Sequence, residues 1–213
     1  RLSLPAARNE LVRQVRTTYY IPLDADDKLP ENFIRQVSRL LPSDVVYVKS
    51  HTFGDFEEVW DNPNEASLDW LSKDNRIPNT ALIRTSAWRT VGGYNEQFTF
   101  GYEDWEFWVH LKKIGRMFKK CQSTHLLYRR HGQTLLHEAI EKREDVLALL
   151  QELHPTIFTQ PKKQTPVLTS PSAQRTRRRN KREEKKEPAP IAVIIPCYGY
   201  AAYVQEAVQS VLD

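Results

Sequence analysis

Long apolar runs are missing from this chain: no stretch approaches the roughly 20 consecutive residues that a membrane-spanning helix needs. The N-terminal residues do not resemble a signal peptide, in which a charged stretch leads into an apolar one. Cysteine is scarce, with only Cys121 and Cys197, in segments assigned below to different domains. Two isolated thiols make neither a disulfide framework nor a zinc site, so a reducing cytoplasm is the expected compartment. Methionine occurs once, at position 117, and residue 1 is Arg, so the sequence reads as a piece of a longer protein. Aromatics are ample for a core, with five Trp, nine Tyr and eight Phe among 213 residues. The net charge of +4 is unevenly held: ten Lys or Arg against three Glu lie between Pro161 and Pro190, leaving 21 basic and 24 acidic residues elsewhere.

Thr17 to Leu23 reads as a strand, rich in β-branched and aromatic residues, and it runs directly into Asp24-Ala25-Asp26-Asp27. Pro30 suits the first turn of a helix carrying Phe33, Ile34, Val37, Leu40 and Leu41 at helical spacing. Val45–Val48 is a second strand. Residues 52–78 form an excursion with a short helix near Ser67–Leu71, and Thr80–Ile83 is a further strand. A helix through Trp88 stops at Gly92-Gly93, the next begins near Glu103 and ends at Gly115, and 133–153 is amphipathic. From Pro155 the composition turns to Pro, Ser, Thr and Gln, then to charge, so 155–190 reads as a disordered linker. Ile191–Ile195 is an apolar strand and Tyr203–Leu212 an amphipathic helix. Strands alternating with helices argue for an α/β sheet, at least partly parallel.

Three carboxylates in four residues at a strand's C-terminal end repel one another unless a cation or solvent screens them. Open α/β sheets bind ligands beyond those strand ends, and hard divalent ions take oxygen ligands. Asp24 and Asp26 are thus candidate Mg²⁺ or Mn²⁺ ligands. The alternative is an Asp-rich turn in which Asp27 caps the following helix. On the helix from Glu103, the stripe Asp104, Phe107, Trp108, Leu111, Ile114 places Asp104 at the start of the apolar face. A helix N-terminus favours the ionised carboxylate that a general base requires; a structural Asp bonded to first-turn amides is the competing reading. Glu103 is expected to look outward. His125, His131 and His137 are too widely spaced for one helical metal face. The basic run Arg175–Lys186 lacks interleaved aromatics for base stacking and reads as a solvated linker, with nucleic-acid binding as the alternative.

Five short stretches in this order resemble the family 2 glycosyltransferases of the GT-A fold: Pro5–Asn9, Tyr20–Asp27, Gly92–Glu96, Gly101–Trp105 and Tyr128–His131. Ile191–Tyr198 resembles the opening strand of the same fold, although Gly199 stands where the family usually has Asn. The resemblance implies three regions: 1–154 as the C-terminal two-thirds of one domain, 155–190 as linker, and 191–213 as the start of a second domain. It implies inverting, metal-dependent transfer from a nucleotide-diphosphate sugar to a hydroxyl of a glycan or other acceptor, without nucleic acid; with neither domain whole, the fragment is expected to be inactive alone. Peripheral association with the inner face of the membrane is compatible with it. Arg8, Asp24, Asp26, Pro196 and Tyr198 would bind the nucleotide sugar, and Asp26 and His131 the metal. Asp104 would be the base, with Gly92, Gly93 and Glu103 in the acceptor or donor loops. The competing function is a noncatalytic protein that binds carbohydrate or a partner. Three geometric expectations follow: Asp24, Asp26 and Asp104 share one cleft; His131 lies beside Asp26; and 191–195 docks parallel beside 19–23 in this piece, across a linker spanning on the order of 30 Å, whereas in a full-length protein it would start its own domain.

Overall fold

A computed structural model describes residues 2–132, 141–158, 190–197 and 201–213. The elements in chain order are α1 (Leu4–Gln14), β1 (Tyr19–Pro22), α2 (Phe33–Ser38), β2 (Val45–Gly54), β3 (Val59–Trp60), α3 (Leu68–Leu71) and β4 (Leu82–Arg84). They continue with α4 (Thr85–Val91), α5 (Glu103–Lys113), β5 (Phe118–Arg130), α6 (Arg143–Leu153), β6 (Ile191–Ile194) and α7 (Val204–Leu212). The strands form one mixed six-stranded sheet. β1 pairs antiparallel with β4 and parallel with β6, in the register Tyr19↔Ile191 to Pro22↔Ile194. β5 runs parallel to β2 along its length, while β4 and β3 pair antiparallel with successive parts of β2. The expected docking of 191–195 beside 19–23 is therefore found.

Side-chain alternation divides the core between the two sheet faces. Tyr19, Ile21, Leu23, Val46 and Val48 pack with Phe33 and Val37 of α2 and Ala207 of α7. Tyr20, Val45, Tyr47 and Ile83 pack with α1, α4, α5 and α6. Burial on both faces explains why β1 reads as a continuous apolar run rather than an alternating one.

Several expected boundaries move. α2 starts at Phe33 behind Asn32, so Pro30 lies before the helix, in a turn where Phe33 N–H donates to the Pro30 carbonyl. Leu40 and Leu41 follow the helix in a turn but still pack against the α2 face of the core. The excursion at 52–78 contains the end of β2 and all of β3 besides α3, whose Ser67 cap accepts from Trp70 N–H. α4 ends at Gly92, whose φ of 81° gives the left-handed stop. Of the amphipathic 133–153 stretch, 143–153 is helical with Val146 and Leu150 buried; 133–140 lies outside the described residues. Most of the linker does as well, so its disorder stays a reading of the sequence.

α1 and β5 have no counterpart in the sequence pattern. The buried stripe of α1 is Pro5, Arg8, Asn9 and Val12, so polar groups occupy the places where apolar periodicity would reveal a helix. β5 changes its pairing register opposite Tyr47 and Lys49, which breaks the two-residue alternation.

Candidate active site

β1 ends at Pro22; the amide of the following Leu23 bonds to the Ile194 carbonyl, and the chain then turns through the aspartates with Asp27 N–H closing onto Asp24 O. That turn stands at the carboxyl ends of the parallel pair β1 and β6. Opposite it, Gly101 at φ 102° and Tyr102 at φ 61° form a left-handed bend that starts α5 at Glu103 and Asp104. A non-glycine residue at positive φ is uncommon, and here it aims two consecutive carboxylates toward the aspartate turn. One cavity of about 490 Å³ is lined by Arg8, Asp24, Asp26, Asp27, Glu103, Asp104 and Pro196, with the 75–80 segment and Tyr128 completing its wall. Asp24, Asp26 and Asp104 thus share a cleft although 80 positions separate the first from the last.

Arg8 joins the two sides. Its guanidinium donates to Asp24 Oδ1 at 2.6 Å and forms an ion pair with Glu103. With its amide oxygen turned to Arg8, Asn79 accepts from Nη2 and Nε at 3.2 and 3.1 Å and donates to Tyr94 Oη. Burial is the largest single effect and disfavours the cation, but the Asp24 charge and hydrogen bond together with Tyr94 and Asp104 outweigh it and raise the Arg8 pKa. Arg8, expected to bind donor, lines the cavity with its donors committed to protein groups. Glu103, expected to face outward, is buried and supplies one of those partners.

Asp104 Oδ1 accepts from Trp105 N–H at 2.7 Å and from Asn75 Nδ2 at 3.1 Å. Burial pushes its pKa up to about 6, the nearby Asp24 charge adds to the rise, and Arg8, the Trp105 amide and Asn75 oppose it. The rest of α5 is buried at Trp105, Glu106, Phe107, Trp108, Val109 and Leu111, whereas Ile114, expected on the same stripe, is exposed. Two indole N–H groups fix the helix to the excursion: Trp105 donates to Leu71 O and Trp108 to Ile77 O. Asn75 and Asn79 are site residues that the sequence reading missed. They lie in an aperiodic segment, and only the fold brings it to the cleft.

His131 Nε2 lies 3.0 Å from Asp26 Oδ2, as expected. Asp26 has a raised pKa because it is partly buried and close to Asp24, with the His131 bond opposing. Asp27 is raised further by burial and by the Asp24 and Asp26 charges. It does not cap a helix: its Oδ1 accepts from Arg129 N–H at 2.9 Å and ties the turn to β5. Carboxylates held up by burial and by mutual repulsion are stabilised in their ionised form by a nearby cation. An oxygen–imidazole pair in an open cleft suits Mg²⁺ or Mn²⁺. No group of three or more His, Cys, Asp or Glu among the described residues is arranged to hold an ion. Asp26 and His131 could supply two ligands of such an ion, and not a complete shell.

Gly92 and Gly93 do not line the cavity. Gly93, at φ 93°, instead leaves room for Asn9: an added Cβ would sit 2.5 Å from Asn9 Oδ1 and 2.9 Å from Trp88 Nε1. Asn9 accepts from Tyr94 N–H and donates to Tyr94 O and Glu96, locking the 93–96 turn onto α1. Pro196 lines the cavity; Tyr198 and His137 lie outside the described residues. His125 stacks on His51, with ring centroids 3.9 Å apart. Both cysteines are free thiols, and no described helix is long and apolar enough to cross a membrane.

Residues 68–148 match the family described as glycosyltransferase like family 2. No curated protein matches the chain. Among solved structures, S. aureus TarS 1–349 in complex with UDP-GlcNAc is 15% identical, with a TM-score of 0.53 over 68% of this chain and 45% of that one. The structure titled simply S. aureus TarS 1–349 is also 15% identical, covering 68% and 43%, with a TM-score of 0.49. The chain therefore spans less than half the length of these structures, and at such identity the first likeness is one of fold. The segment that builds the Asp104 side of the cleft, residues 68–148, is glycosyltransferase family 2-like, on a mixed α/β scaffold of GT-A type.

Proposed function

We propose that this chain is part of an inverting, metal-dependent glycosyltransferase that moves a sugar from a nucleotide-diphosphate donor to an acceptor hydroxyl. The observation that carries the reading is the single cavity joining the Asp24–Asp26 turn to Asp104, a carboxylate poised near pH 6. The nucleoside lies toward Asp24 and the diphosphate toward Asp26 and His131. A bound Mg²⁺ or Mn²⁺ supplies Lewis-acid neutralisation of the departing diphosphate. Asp104 accepts the proton of the acceptor hydroxyl while its oxygen bonds the anomeric carbon and the carbon–diphosphate bond breaks. The electron pair leaves with the diphosphate, and the single displacement inverts configuration. A pKa near the working pH favours this role, since the group must be ionised before the reaction and basic enough to take the proton. Arg8 holds Asp24 and Glu103 in fixed relation, so the donor and base sides keep their spacing.

The donor bound by TarS makes UDP-GlcNAc the first donor to test. In the full-length protein, Mn²⁺-dependent release of UDP from UDP-GlcNAc is the expected result. Asp104→Asn should bind UDP as the parent does while turnover falls about 10²–10⁴-fold. Turnover that survives this substitution would remove Asp104 from the mechanism. Donor binding without turnover in the parent would favour the noncatalytic reading.

A further inference from the structure

The C-terminal strand–helix unit meets the aspartate turn through Arg129. The Arg129 side chain is 13% exposed, and its guanidinium lies 4.5 Å from the ring centroids of Phe53 and Tyr203. Its Nε donates to the Asp26 carbonyl at 2.8 Å, and its backbone N–H to Asp27 Oδ1. The remaining arm, Nη2, donates to Glu206 Oε2 at 2.8 Å, and Lys28 Nζ reaches the same oxygen at 3.2 Å. The His131 ring lies 5.1 Å from the Tyr203 ring. Tyr203 and Glu206 come from α7 and the residue before it, more than 70 positions beyond Arg129 and His131.

An exposed ion pair is ordinarily worth little. Arg129 differs because it is mostly enclosed and stands against the turn that carries Asp26 and Asp27. Its charge already acts on Asp27. Without Glu206, its nearest anions would be the aspartates themselves. A guanidinium that turned to them would compete with a cation for Asp26 and disturb the neighbouring His131.

We propose that Glu206 is a positioning residue for the Asp26–His131 pair, acting through Arg129, so that β6 and α7 are a working part of the donor site. This rests on the proposed function for its consequence in binding, but the contact itself can be tested without nucleotide.

The full chain is compared with Glu206→Gln, Glu206→Asp and Lys28→Met by two readouts. The first is calorimetric binding of UDP with and without Mn²⁺; the second is the imidazole ¹H–¹⁵N spectrum of His131 with neither present. Glu206→Gln should weaken Mn²⁺-dependent UDP binding about tenfold, as expected for loss of an outer-shell partner. It should leave metal-free UDP binding unchanged and move the His131 signals. Glu206→Asp should recover part of both effects. Lys28→Met keeps the Arg129–Glu206 pair and should match the parent. A His131 spectrum unchanged by Glu206→Gln would overturn the proposal. So would rapid exchange of the Leu23 amide in that variant, because Glu206 would then be docking the unit rather than positioning the pair. If the parent binds neither Mn²⁺ nor UDP, the proposed function fails, and the His131 spectrum alone decides the role of Glu206.

Discussion

At the scale of single residues, the site is a balance of buried charge. Asp104 is raised to about 6 chiefly by burial, so the folded protein binds a proton there more tightly than the unfolded chain. The ionised form therefore costs stability: the full stabilisation of the neutral form is present below the unfolded value near 3.8 and is lost as pH rises through about 6. Two consequences follow. kcat/KM should fall tenfold per pH unit below about pH 6, because the base must be ionised, and a pH–rate profile checks this. Asp104→Asn should raise stability at pH 7.5 by about 1–3 kcal/mol while abolishing transfer, read from urea unfolding with UDP release measured in parallel. Gly93 answers to geometry instead. Gly93→Ala would set a methyl group against Asn9 and Trp88 at positive φ, so a loss of about 1–3 kcal/mol is expected in the same unfolding assay.

Among the elements, α5 shows why a motif and its setting differ. Its Trp105 and Trp108 are packed and bonded to carbonyls of the 71–77 excursion. Trp108→Ala should cost about 3–5 kcal/mol, and it should also reduce turnover by loosening the support of Asp104. β6 and α7 are held by a four-residue parallel ladder, buried Ile194 and Ala207, Ser210 Oγ accepting from Leu29 N–H, and the pairs of Glu206 with Arg129 and Lys28. Ala207→Asp would bury an unpaired carboxylate at that contact. Hydrogen exchange at Leu23, whose amide bonds Ile194, should then approach that of an exposed amide.

Over the whole molecule, one sheet is assembled from both ends of the chain. The covalent connection between Phe158 and Pro190 keeps β6 and α7 with the rest of the chain, so cutting it should lower their effective concentration at the β1 edge. A protease site placed between Arg175 and Lys186 should leave the two parts associated at high concentration. UDP binding should then be lost on dilution, whereas in the uncut protein it is concentration-independent. The sequence by itself determined the strand ahead of the aspartates, the helix beginning at Glu103 and the docking of 191–195 beside 19–23. The first two are encoded locally, by an apolar run and a helical stripe; the third followed from the resemblance of 191–195 to the strand that belongs beside 19–23 in the family. Only the tertiary structure decided that α1 is a helix whose buried stripe is Arg8 and Asn9, that Glu103 faces inward, and that Gly93 serves Asn9. It alone brought Asn75 and Asn79 to the cleft and Glu206 to Arg129. Those placements depend on polar groups meeting partners distant in sequence, and a buried charge carries no periodic signal until its counter-charge is in place.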